Sequence, residues 1–181
     1  MRFMVKVLGV AIVAGLFCNT LMAAEDGFVA RVGFGWLSLQ RELSGSGKNS
    51  DSGAALDIYG GYRMQNAQFG LSYTTARCDG CNTNYILASG AYVFENFNTV
   101  KPFIGLGVGL LNYKESKVGF NERGVFGTVN LGVNIEFEHV YYAIEFRQRV
   151  FGGIDEDKSF GGRDFKAEPK QTYLLSAGYK F

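Results

Sequence analysis

From Gly27 to the C-terminus the chain alternates apolar residues with polar or small ones at a period of two. The last eleven residues show this best. One side of the repeat holds Tyr173, Leu175, Ala177, Tyr179 and Phe181, and the other holds Thr172, Ser176, Gly178 and Lys180. A strand that carries apolar side chains on one face and small, polar or charged side chains on the other is expected to lie between an apolar phase and a polar one.

The same alternation predicts about eight strands, of the roughly 9–11 residues that a tilted strand needs to cross a bilayer. We expect them near 28–39, 54–64, 68–74, 84–95, 101–114, 128–137, 142–149 and 171–181. The fourth is the least clear, since both of its faces are apolar or small. Polar stretches at 40–53, 76–84, 114–124 and 152–170 predict long loops, which alternate with short turns.

A sheet in hydrocarbon has no water to satisfy its edge, so it must close. The sequence therefore predicts an all-β fold: a closed antiparallel up-and-down transmembrane β-barrel with the long loops outside the cell. Aromatic residues near the strand ends suit the two interfacial girdles of such a barrel. We expect these to include Trp36, Tyr62, Phe69, Tyr85, Tyr142, Tyr173 and Phe181.

The first residues predict a cleavable signal peptide over 1–24, followed by a single barrel domain over 25–181. Arg2 and Lys6 give the positive start, a short apolar run follows, and Ala23 and Ala24 supply small residues for cleavage. The net charge of +1 leaves no overall field that would favour nucleic acid.

The chain resembles the eight-stranded bacterial outer-membrane barrels of the opacity-protein and OmpA/OmpX type. The residues that carry the resemblance are the export signal, the segment Lys101-Pro-Phe-Ile-Gly-Leu-Gly-Val-Gly109, the inward Glu145-x-Arg147 and the closing Tyr179-Lys-Phe181. The resemblance implies residence in the outer membrane and assembly through the C-terminal strand by the barrel-assembly machinery. It also implies a role in adhesion, surface interaction or envelope integrity, with host or phage surface ligands among the partners.

Charged residues of both signs fall on the inward faces, and we expect them to form a paired network that fills the lumen. They are Arg31, Asp57, Arg63, Glu136, Glu145, Arg147, Arg149 and Lys180. Ions removed from bulk water must be paired, or each costs several kcal/mol. The main hypothesis is a non-enzymatic surface protein with a filled lumen, and the alternative is a narrow, porin-like pore for small solutes.

Cys78 and Cys81 predict a small disulfide that pins an external loop, because export leads to an oxidising compartment. No cofactor or metal site is expected. The only histidine, His139, falls at the periplasmic end, away from any external active site. Four cations of the last loop are candidates for contact with lipopolysaccharide phosphates. They are Lys158, Arg163, Lys166 and Lys170.

Overall fold

The computed structural model describes residues 26–43, 47–78, 81–95, 99–115, 120–160 and 163–181, and within these it describes the side chains of all but 41–43, 47–49, 115, 120–121, 154–160 and 163–168. The signal peptide predicted over 1–24 lies outside the described residues. Eight strands make up the fold: β1 (Gly27–Leu43), β2 (Gly47–Met64), β3 (Ala67–Cys78), β4 (Cys81–Val93), β5 (Val100–Glu115), β6 (Phe120–Phe137), β7 (Val140–Phe160) and β8 (Arg163–Lys180).

The strands close into an antiparallel up-and-down barrel, as the alternation predicted. Each strand pairs with its neighbour in sequence, and β1 pairs with β8 to seal the ring. The last residue joins the seal, because the Phe181 amide donates to the carbonyl oxygen of Phe28 at 2.8 Å. No strand within the membrane region is therefore left with a free edge, which is the condition for β-structure in hydrocarbon.

Two tight turns lie at one end of the barrel. Two residues link β2 to β3 and two link β6 to β7, and the first of each pair, Gln65 and Glu138, has φ near +50°. The Gln65 amide also donates to Asp26 Oδ1 at 2.7 Å, which fixes this turn to the start of β1. At the opposite end the β1–β2 and β7–β8 hairpins continue well past their last contacts with β3 and β6. Long extensions of this kind are typical of the extracellular end of transmembrane barrels, so that end is external.

The external connections are shorter than the sequence predicted, because the strands continue into them. The expected loop 40–53 contains only three residues between β1 and β2, and the expected loop 152–170 is mostly strand on both sides of residues 161 and 162. Hydrophobic alternation ends where the membrane ends. Backbone pairing continues further, because a two-stranded hairpin with water on both faces keeps its inter-strand hydrogen bonds without needing an apolar face.

The outer surface of the barrel is apolar, and the inner surface holds the small, polar and charged residues. Along β5, Ile104, Leu106, Val108 and Leu110 are exposed, while the glycines between them are buried. Of the expected girdle residues, Tyr85 was wrongly assigned: it is 3% exposed and lies in the lumen. β4 carries apolar residues on both faces, so its alternation did not show which face was inward. No described helix is long and apolar enough to cross a membrane.

Candidate functional site

The centre of the lumen holds an ion group organised by Arg147. Its guanidinium donates to both Asp57 oxygens, at 2.9 and 3.3 Å, and to both Glu145 oxygens, at 2.8 and 3.3 Å. Thr74 donates to Asp57 at 2.5 Å, and Nη1 of Arg147 lies 3.3 Å from the Ser72 hydroxyl. The bidentate contact with Asp57 links β7 to β2 across the barrel, and the contact with Glu145, on β7 itself, orients the planar guanidinium.

Arg31 completes this central group. It forms a second ion pair with Glu145, and its guanidinium carbon lies 4.5 Å from the centre of the Tyr59 ring, a cation–π contact. Two arginines thus face two carboxylates, Asp57 and Glu145, and all four are at most 5% exposed. The central group has no net formal charge, which is the condition under which buried ions are tolerated.

A second ion group closes the periplasmic end. Arg63 pairs with Glu95 and Glu136, and Lys101 Nζ lies 2.5 Å from Glu95 and 2.9 Å from Glu136. Two cations again meet two anions. This group is wetter than the central one, because the Glu95 side chain is 33% exposed. Each carboxylate bridges both cations, so the four side chains form a ring rather than two separate pairs.

An apolar layer fills the lumen on the external side of the central group. Leu37, Leu111 and Tyr113 are at most 1% exposed, and the Tyr85 and Phe126 rings meet edge to face with centroids 5.2 Å apart. The layer comprises Leu37, Leu39, Ala55, Ala76, Cys81, Tyr85, Leu87, Leu111, Tyr113 and Phe126. The described lumen is thus closed twice, by paired ions and by close-packed hydrocarbon.

Six of the eight charges predicted for the lumen lie in the two ion groups: Arg31, Asp57, Glu145 and Arg147 in the central one, and Arg63 and Glu136 in the periplasmic one. The other two join neither group among the described side chains. Arg149 donates to the carbonyl oxygen of Gly152. Lys180 lies opposite Val29 at the periplasmic end of β8.

Sequence reasoning missed Glu95 and Lys101 as lumen residues. Lys101 did carry a signal, because it shares its odd-numbered side of β5 with the inward Gly105, Gly107 and Gly109. Glu95 carried none, since it follows the end of β4 in a segment that was expected to turn.

Cys78 and Cys81 face each other at the external end of the β3–β4 hairpin, where the structure joins them in a disulfide with their Cα atoms 5.1 Å apart. His139 lies at the opposite end, in the β6–β7 turn, with its ring stacked on Tyr179 at 5.6 Å. No group of three described His, Cys, Asp or Glu side chains is placed to hold a metal ion.

The fold has a clear counterpart among solved structures. The crystal structure of Neisserial surface protein A superposes with a TM-score of 0.64 at 18% identity, covering 87% of this chain and 100% of that one. The chain is an outer-membrane-type β-barrel. In bacteria such barrels reside in the outer membrane, and the apolar exterior of this outer-membrane-type β-barrel fits that location.

A weaker match to this chain is Ail, the attachment invasion locus protein of Yersinia pestis. Its TM-score is 0.43 at 15% identity, and the match covers 86% of this chain and 99% of that one. A major outer membrane protein from Thermus thermophilus has a TM-score of 0.43 at 10% identity, with 87% and 100% covered. No protein-family model matches the sequence, and no curated protein matches it either.

Proposed function

We propose that this barrel is a non-enzymatic surface protein of the outer membrane that acts through its external hairpins, while its filled lumen serves as scaffold. The observation that carries the proposal is the double closure of the lumen. A solute would have to displace the Arg147 contacts with Asp57 and Glu145 and then pass a layer in which Leu37 and Leu111 are at most 1% exposed.

The external architecture supports a role in binding. Strands β7, β8, β1 and β2 stay paired with one another beyond the points where their pairing with β3 and β6 stops. β3 pairs with β2 only as far as Ala54, and β6 pairs with β7 only as far as Gly153. Beyond these points the four strands form a sheet of their own on one side of the barrel.

The strands of this sheet extend well beyond the length that a membrane crossing needs. β7 has 21 residues, and a membrane crossing uses about 10 of them. At roughly 3.3 Å per residue, the remaining length corresponds to about 35 Å of strand outside the hydrocarbon. A raised sheet presents residues to partners in the surrounding medium, which a barrel with minimal turns at both ends does not.

Conductance in planar lipid bilayers tests the filled lumen. The refolded protein should insert without discrete current steps, while a general porin reconstituted in the same way gives them. Heat-modifiable migration on a gel shows that the inserted protein is folded. Regular openings from the folded protein would contradict the proposal and would favour the alternative of a narrow pore.

Adherence tests the external hairpins. A non-adherent laboratory bacterium that expresses the protein should bind cultured epithelial cells. Binding should fall when residues 154–167 are replaced by an Asn-Gly turn, which joins β7 to β8 close to the barrel rim. Equal adherence of the two strains at equal surface expression would remove the hairpin from the proposal.

A further inference from the structure

A groove runs down the outer face of β3, β4, β5 and β6. Its upper part, a cavity of about 410 Å³ near the external end, is lined by Asn84, Asn112 and Arg123 above and by Tyr73, Ile86, Leu110 and Val125 below. Its lower part, of about 760 Å³, lies between Phe69 and Leu71 on one side and Val150 and Phe151 on the other.

The two parts adjoin because they occupy successive rungs of the sheet. Tyr73 pairs with Ile86, and Ile86 with Leu110, on the rung that lines the upper part. The next rung toward the periplasm places Leu71 beside Ala88, whose small side chain deepens the lower part. The groove is therefore polar at its external end and mostly apolar below it, which is the profile of a lipid.

The polar end is also cationic. Arg123 pairs with Asn112 of β5, and Lys114 lies two residues further along β5 on the same outward face. Arg77 is exposed on the outward face of β3, which β4 separates from β5. Arg123 and Lys114 are both exposed. Among the described outward-facing residues of β3 to β6 there is no carboxylate. Cations beside a phosphate make strong charge-assisted hydrogen bonds, so the face is complementary to a phosphorylated headgroup.

Asn112 adds a second requirement on the ligand. Its side-chain oxygen is buried without a hydrogen-bond partner. Since that oxygen is closed off from the groove, the group that Asn112 can offer to a bound molecule is its amide NH2, which donates to a phosphate, hydroxyl or carbonyl oxygen. A ligand with phosphate, hydroxyl and amide groups above and acyl chains below meets every feature of the groove.

We propose that this groove is a binding site for the lipid A part of lipopolysaccharide. A phosphate lies at Arg123, a hydroxyl or amide group meets Asn112, and one acyl chain follows Leu110, Val108 and Ala88 down the barrel. The site is distinct from the cations of the last loop. Of those four, the side chains of Lys158, Arg163 and Lys166 lie outside the described residues, and Lys170 is exposed.

Native mass spectrometry of the refolded barrel in detergent tests the site, with diphosphorylated lipid A and phosphatidylglycerol as the two probes. The wild type should prefer lipid A. Arg123→Gln should weaken lipid A binding about tenfold or more, which is the effect of losing one charge-assisted contact. Lys180→Gln, which removes the same charge at the periplasmic end of β8, is the matched control and should leave the affinity unchanged, while Lys170→Gln tests the last-loop cations as the competing site.

A second pair of variants tests the acyl groove. Ala88→Leu should fill the lower part and weaken lipid A binding, while Ala177→Leu, on the exposed outer face of β8, should not. Both should keep the heat-modifiable migration of a folded barrel. The proposal is overturned by equal binding of phosphatidylglycerol, by a larger effect of Lys170→Gln than of Arg123→Gln, or by an Ala88→Leu variant that binds lipid A as well as the wild type does.

Discussion

Removing Arg147 alone should destabilise the barrel far more than removing it together with Asp57. Arg147 is 2% exposed and Asp57 is 0% exposed. Arg147→Met leaves two buried carboxylates with Arg31 as the remaining cation of the group. Asp57→Leu leaves the reverse imbalance, two arginines with Glu145. The double variant D57L/R147M leaves Arg31 and Glu145 as a neutral pair.

The magnitudes follow from the cost of a stranded ion. Breaking a buried pair by removing one partner costs about 3–5 kcal/mol, whereas replacing both partners by apolar residues of similar volume is often neutral or stabilising. Independent effects would therefore sum to roughly 6–10 kcal/mol in the double variant. We expect the double variant to lose no more than about 2 kcal/mol, chiefly because Thr74 and Ser72 lose their partners.

Urea unfolding in phospholipid vesicles measures these free energies. Trp36 is the only tryptophan and is 60% exposed on the lipid-facing surface, so its fluorescence reports loss of the barrel from the membrane. If the double variant loses as much as the two single variants together, the paired-ion account of the lumen is wrong. The pair Lys101 and Glu136 serves as a comparison, and its wetter site should give smaller single-variant losses.

Two further predictions concern close packing and the external hairpin. Gly70→Ala should cost about 1–3 kcal/mol in the same unfolding assay, because the new methyl group would meet the Tyr59 ring, whereas Gly60→Ala should be nearly neutral, since nothing lies within 4 Å of its added carbon. Equal losses would contradict this. Cys78→Ala with Cys81→Ala should cost about 2 kcal/mol, the entropy of a four-residue loop. Reductant should lower the unfolding midpoint of the wild type and leave that of the double variant unchanged.

The barrel could be predicted from sequence because the bilayer imposes one rule on every strand. Wherever lipid meets one face and the lumen the other, residues such as Leu131 and Asn130 must alternate, and β6 shows this over most of its length. The rule weakens where both surroundings are alike. In β4, Ile86 faces lipid and Leu87 faces the apolar layer of the lumen, so both faces of the strand are apolar. The sequence pattern therefore did not show that Tyr85 points inward.

The partners within the lumen could not be predicted in the same way. Alternation tells that Asp57 and Arg147 point inward, but their contact spans 90 positions of sequence and depends on how the strands are staggered around the ring. The outer groove could not be predicted from the sequence either. It depends on Phe151, whose position follows from a bulge where β6 shifts register against β7.

The arrangement of the lumen has a consequence for how the surface can change. Each ion group is neutral within itself, and the apolar layer separates the central group from the external hairpins. Substitutions in the hairpins therefore leave no charge of either ion group without its partner, and distant sites of this kind contribute almost additively to stability. A barrel stabilised by contacts inside its lumen therefore tolerates substitutions in its external hairpins with little loss of folding free energy. Its surface can thus acquire or lose partners while the membrane-spanning part stays the same.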